Sequence, residues 1–215
     1  MKNSIFEHQL DEVIQNYPKL SKFPLGNIFI LRGIVDIIGS DGKFWDSYEI
    51  EIHPHKDFPN KFPILFEVSK KIPRNPDWHI NIDGSCCVAV LPEELIMCKQ
   101  SLTVLSYIDK YVIPFFANQT YRKLTGNFAN GEYSHGIAGI LEFYEIIFQT
   151  KDIELMNMLS KWILNNPKPN RTNMCFCGSK KKFRHCHAQL YDKIAKIGTE
   201  NVDIHLRILS LVKKY

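Results

Sequence analysis

The chain has 215 residues, with 27 Lys and Arg against 23 Asp and Glu, a net charge of +4. Apolar residues make up 45% and charged residues 23%, which excludes a wholly disordered or low-complexity chain; the length fits one domain, or one domain with a small appendage. No apolar run approaches the roughly 20 residues of a bilayer span, and the first residues carry Glu7, Asp11 and Glu12 without an apolar stretch, so neither a membrane anchor nor a signal peptide is expected.

Phe6, Leu10, Val13, Ile14 and Tyr17 fall on one helical stripe, which Pro18 and Pro24 end. Residues 28–38 are rich in Ile and Val and read as a strand. Gly39-Ser40-Asp41-Gly42 is a turn, after which Phe44, Tyr48, Ile50 and Ile52 alternate with polar residues as a half-buried strand does. The two strands predict an antiparallel hairpin. Residues 57–63 form a proline-stiffened turn and residues 64–68 a third strand. Residues 70–86 hold no convincing helix or long strand. A stretch of that length without regular structure points to function. Helices are predicted over 101–116, over 136–148, and from an Asp152 N-cap to about Leu164. Residues 165–170, with two prolines and three asparagines, read as a linker, and residues 204–213 as a basic amphipathic helix. Strands first and helices after them indicate an α+β protein. The expected division is a domain over 1–164 with a helical extension, followed by a linker, a cysteine-rich motif and a helix over 165–215. Charge supports two parts: residues 151–215 carry 13 basic against 5 acidic side chains, and residues 1–150 carry 14 against 18.

The six cysteines, at 86, 87, 98, 175, 177 and 186, are too few and too clustered for a secreted disulfide framework. They read as thiols or metal ligands in a reducing cytoplasm. The run from Cys175 to His187 spells Cys-x-Cys, eight residues, then Cys-His. Three thiolates and one imidazole satisfy tetrahedral zinc. Gly178 lets the chain turn back, and the neighbouring lysines and Arg184 favour thiolate. With Cys175, Cys177, Cys186 and His187 filling all four positions, the zinc would be structural; His185 is the alternative to His187. This run resembles the SEC-C motif, the zinc knuckle at the C-terminus of the SecA translocase, which implies docking rather than chemistry.

A second pattern lies upstream. An N-terminal helix and an antiparallel meander lead to Phe58-Pro59 and Phe62-Pro63. Then come His79-Ile80-Asn81, Gly84 and Cys86-Cys87-Val88-Ala89-Val90-Leu91. Together these resemble the ubiquitin-conjugating enzymes. The resemblance implies their meander with flanking helices, an active thiol at Cys87, an Asn81 that orients the loop and stabilises the tetrahedral intermediate, and a structural His79. The chemistry suits these residues, because a thiol accepting an already activated acyl group needs a rigid, exposed loop and an amide donor more than it needs a strong base. The sequence departs from the family in the missing proline between His79 and Asn81, in a short loop from Asn81 to Cys87, and in Glu93-Glu94-Leu95-Ile96-Met97 where the family has Trp-x-Pro. Two adjacent cysteines in an extended segment face opposite ways, so one is expected to be buried, and Cys86 is taken as that one.

The stretches Gly131 to Gly136 and Gly139 to Tyr144 look like the helical segment of bacterial conjugating-enzyme-like proteins in antiphage operons, notably short type II CBASS systems. That resemblance implies a cytoplasmic acyl transferase. Its thioester partner would be the C-terminus of a cGAS-like nucleotidyltransferase, and its acceptor a lysine or other amine. The alternative is an adaptor that binds such a partner without chemistry. A nucleic-acid partner would rest on the basic tail alone and is not expected. No glycine loop for a nucleotide is recognisable, which leaves activation of the acyl group to another protein or to a different route.

Overall fold

The computed structural model describes residues 4–129 and 131–212. The N-terminal stripe folds as two short helices, α1 (Ser4–His8) and α2 (Leu10–Asn16), with Phe6, Leu10 and Val13 buried. Gln9 sits at the break. Its side-chain oxygen accepts the Val104 amide at 2.8 Å, satisfying one of the orphan donors at a distant helix start.

Four strands follow: β1 (Leu20–Leu25), β2 (Ile28–Ile38), β3 (Phe44–His53) and β4 (Ile64–Glu67). They form one antiparallel sheet in the order β1-β2-β3-β4. The predicted hairpin is β2–β3, with Gly33 opposite Ile50 and Val35 opposite Tyr48. Strand β1 is not visible in the sequence pattern because Pro24 lies within it; at a sheet edge a proline is tolerated. Gly33 is required by backbone proximity, since a Cβ there would stand 2.1 Å from the Lys19 carbonyl oxygen.

The sheet's inner face is covered by a helix longer than the predicted 101–116. It begins as α4 (Val104–Tyr107), passes through a π-helical turn at Ile108–Val112, and continues as α5 (Ile113–Thr125). Pro114 explains the irregular turn. It has no N–H, and its ring conflicts with the carbonyl one turn back, so the ladder widens just before it. Thr103 and Ser106 close a capping box at the start. Tyr48 stacks on Phe116 with ring centres 4.5 Å apart, and its hydroxyl meets Thr120 Oγ1 at 2.9 Å. Glu67 is fully buried, yet its carboxylate accepts the Ser69 hydroxyl and the amides of Lys70 and Lys71, as a buried charge requires.

Helix α3 (Leu91–Cys98) follows the thiol-bearing segment, and the chain divides within it. One unit takes in the chain up to Ala89 and Met97–Glu132; the other takes in Val90–Ile96 and the chain from Tyr133 on. The division falls before the linker read at 165–170, because α6 (Ile137–Phe148) and α7 (Ile153–Asn165) share a core with α8 (Ala188–Ile197) and α9 (Thr199–Val212). Asp152 caps α7, accepting the amides of Glu154 and Leu155 at 2.9 and 3.1 Å. Helix α9 starts before the predicted 204, and the basic end read at Lys213 lies outside the described residues. By unit, the charge contrast shrinks: the sheet unit carries 14 basic and 14 acidic residues, the helical unit 13 and 9. No helix among the described residues is long and apolar enough to cross a membrane.

Inside the helical unit, the Tyr144 hydroxyl meets His205 Nδ1 at 3.0 Å, and both side chains are buried. Burial holds the His205 pKa below its ordinary value. The unfolded chain takes up this proton first, so the contribution of His205 is complete above about pH 6.5 and is lost as the pH falls below it. Thermal melts of the helical unit are expected to fall between pH 7.5 and 5.5, and less steeply in a His205→Phe variant. Gly33→Ala is expected to lower the stability of the sheet unit by about 2 kcal/mol or more, read from denaturant unfolding.

Candidate functional site

Residues 79–87, predicted as irregular, form a small β-hairpin. The Asn81 amide donates to the Ser85 carbonyl at 2.8 Å, the Cys87 amide to the His79 carbonyl at 2.9 Å, and Ile80 pairs with Cys86. The tip is Ile82-Asp83-Gly84. Gly84 has φ 90°, and a Cβ there would meet the Arg74 guanidinium at 2.9 Å, so only glycine fits. Arg74 also donates to the Ile82 carbonyl at 3.2 Å. The hairpin is attached to the sheet by the Cys86 amide on the Leu65 carbonyl at 2.8 Å and the Glu67 amide on the Gly84 carbonyl at 2.9 Å.

Alternation along this hairpin sorts its side chains. Ile80 is fully buried, and Cys86 packs on the same core. Burial, and after it the negative charge of Glu67, pushes the Cys86 thiol well above its ordinary pKa, so it stays protonated. Cys87, Ser85 and Asn81 lie on the opposite face, and Cys87 is exposed. The Asn81 side-chain amide donates to Ser85 Oγ at 2.9 Å and approaches Cys87 Sγ at 3.7 Å. The two residues singled out by sequence are thus brought together.

His79 does not face them. It has φ 53°, caps the 3-10 turn Pro76–Trp78, and directs Nε2 to Glu132 at 2.7 Å, with Phe128 against its ring. The Arg122 guanidinium lies over the rings of Trp78 and Phe128, 4.2 and 4.5 Å from their centres, and donates to the Asp77 carbonyl. Gln119 donates to the Trp78 carbonyl at 2.8 Å. These ties hold the strand that carries Asn81. Ser85, Asp83, Arg122 and Glu132 were not singled out by sequence. Asp83-Gly84 is a hairpin-turn pair that would have revealed the first two; the others come from distant positions and leave no local signal. His53 bonds Glu51 at 2.8 Å and its ring lies tilted against Phe66.

The second site lies in the helical unit. Residues 171–175 run antiparallel to 181–184, with the Cys175 amide on the Lys181 carbonyl and the Phe183 amide on the Asn173 carbonyl, both at 2.8 Å. Between them the chain reverses at Gly178, φ 76°. Phe183–His185 make one 3-10 turn that delivers Cys186, and His187 caps α8. Phe176 stacks on Trp162 at 4.0 Å, and Phe183 is fully buried, which fixes the knuckle to the helices.

Cys175, Cys177, Cys186 and His187 bring their ligand atoms within 4.8 Å of one another. Cys177 and Cys186 sulfurs are 3.6 Å apart, and His187 Nδ1 is 3.2 Å from the Cys175 sulfur and 3.1 Å from that of Cys186. Around a tetrahedral zinc these separations would be about 3.8 Å for two sulfurs and about 3.6 Å for sulfur and nitrogen, so the four residues fit such an ion. Burial lowers the His187 pKa, which favours the neutral, ligating imidazole. His185 instead takes a contact from Arg184 Nε at 2.9 Å and stays outside the cluster. A metal here would have four protein ligands and no open position, so its contribution is structural.

Residues 171–189 match the SEC-C motif, a zinc-binding motif. No curated protein and no solved structure matches the chain.

Elemental analysis of the purified protein is expected to find about one zinc per chain. Changing both Cys177 and Cys186 to Ser should reduce this to near zero and lower the melting temperature of the helical unit while leaving the sheet unit intact.

Proposed function

We propose that this protein is a ubiquitin-conjugating-type acyl carrier. The observation that carries the reading is the outer face of the 79–87 hairpin, where an exposed thiol stands 3.7 Å from a side-chain amide donor while its neighbouring thiol packs part-buried on the core and stays neutral. The order of elements supports it as well: a helix, a four-stranded antiparallel meander, a thiol-bearing segment and a covering helix follow one another as in conjugating enzymes.

In the proposed reaction the Cys87 sulfur attacks the activated C-terminal carbonyl of a partner protein, and the leaving group departs with the thiol proton. The Asn81 amide stabilises the oxyanion that forms. An amine, such as a lysine of a target, then attacks the thioester and frees the thiol. Cys87 is nucleophile and carrier; Asn81 is the electrophilic aid; the Glu132–His79 pair and Arg122 hold the strand that presents Asn81. The partner fitting the bacterial resemblance is a cGAS-like nucleotidyltransferase, conjugated in the cytoplasm as part of antiphage defence. The knuckle holds a structural zinc and does no chemistry.

The test is intact-mass spectrometry of the protein co-expressed with the genes neighbouring its own. Wild type is expected to carry a partner-sized adduct that thiol removes, Cys87→Ser the same adduct as a thiol-resistant ester, and Cys87→Ala none. Cys86→Ala should conjugate within about threefold of wild type, since it removes only a part-buried thiol. Absence of any adduct with all partners present would mark a non-catalytic adaptor.

A further inference from the structure

We propose that Ser85 and Asp83 are positioning residues that decide which end of the Asn81 amide faces the Cys87 thiol. The inference rests on the reading of Cys87 as an acyl carrier. An asparagine presents an oxygen on one side and an NH2 group on the other, nearly equal in size. Only the NH2 end can stabilise an oxyanion; the oxygen end would repel it. Shape does not choose between them, so hydrogen bonding must.

The choice starts at the hairpin tip. Asp83 Oδ1 accepts the Ser85 hydroxyl at 2.7 Å and the Ser85 amide at 2.9 Å. The two Ser85 donors, the backbone one first, hold the Asp83 carboxyl below its usual range, so at neutral pH it accepts only. The single hydroxyl hydrogen of Ser85 is thereby committed to Asp83, and Ser85 Oγ offers Asn81 only lone pairs. Asn81 Nδ2 meets that oxygen at 2.9 Å. With the amide reversed, its oxygen would face an oxygen with no hydrogen to share. The NH2 end is therefore held towards Ser85, and its second hydrogen points at Cys87 Sγ, 3.7 Å away. Strand geometry makes the chain of contacts possible: Asn81 and Ser85 are paired across the hairpin and Cys87 lies one alternation further on the same face.

A second role for Ser85, closing the turn with Asp83, would be purely structural. The two roles separate in the chemistry of Cys87. Transfer of an acyl group from the mercaptoethanesulfonate thioester of N-acetylglycine forms the Cys87 Sγ–carbon bond, breaks the bond to the departing thiolate, which leaves with the thiol proton, and passes through an oxyanion. Alkylation of the same sulfur by iodoacetamide displaces iodide and passes through none. Both rates can be read at Cys87 by peptide mass spectrometry on the full-length protein.

Ser85→Ala is expected to slow acyl transfer about tenfold or more while alkylation stays within about twofold. Asp83→Ala, which frees the Ser85 hydrogen to hold the reversed amide, should slow it in the same direction, and Ser85→Thr should restore it. Equal loss in both reactions, no loss in Ser85→Ala, or failure of Ser85→Thr to rescue a folded protein overturns the inference. If Asn81→Ala slows acyl transfer but Ser85→Ala does not, the inference alone fails. If Asn81→Ala acylates as fast as wild type, the underlying reading of Asn81 fails with it.

Discussion

The hydrogen bond from the Cys86 amide to the Leu65 carbonyl is the constraint on which the rest of the candidate site depends. It aligns the 79–87 hairpin with β4 and so fixes its register against the sheet. Because side chains alternate in an extended chain, that register sends Ile80 and Cys86 into the core and leaves Asn81, Ser85 and Cys87 outside. A shift by one residue would exchange the two cysteines. Gly84 makes the register possible, since the tip must turn with positive φ under the Arg74 guanidinium.

The rigidity of that hairpin comes from its surroundings more than from itself. A two-stranded ribbon is marginal in water. Here one strand is tied to β4, and the other is held through Trp78, His79 and Asp77 by residues of α5 and the segment after it. Two of these ties join backbone carbonyls, of Asp77 and Trp78, to long side chains of α5. The side-chain contact between His79 and the half-exposed Glu132 adds little to global stability. Its effect is local, on the strand that presents Asn81. Placement of a reacting group to within a fraction of an ångström is what proposed acyl transfer needs.

The Cys/His cluster obeys a different logic. Its ligands come from a hairpin, a single 3-10 turn and a helix cap, none of which has a core of its own. Phe176 and Phe183 supply the apolar anchors, against Trp162 and Tyr191. The knuckle thereby shares the core of the helical unit, and the proline-rich segment before the knuckle is anchored too, by the Tyr191 hydroxyl on the Asn166 carbonyl at 2.7 Å.

The sequence by itself determined what is local. The metal site was legible because five Cys and His residues fall within thirteen positions, and the Asp152 cap and the β2–β3 hairpin were legible because a cap or a turn is decided by neighbours. Tertiary structure decided the rest. It showed that β1 tolerates Pro24 by lying at an edge, that α6 and α7 belong with the knuckle rather than with the sheet, and that His187 rather than His185 joins the cluster. It also exposed Cys87 and packed Cys86 part-buried against the core, and brought Arg122 and Glu132 to a strand more than forty residues away. Burial and pairing between distant segments set these outcomes, and no local pattern encodes which distant segment a residue will meet.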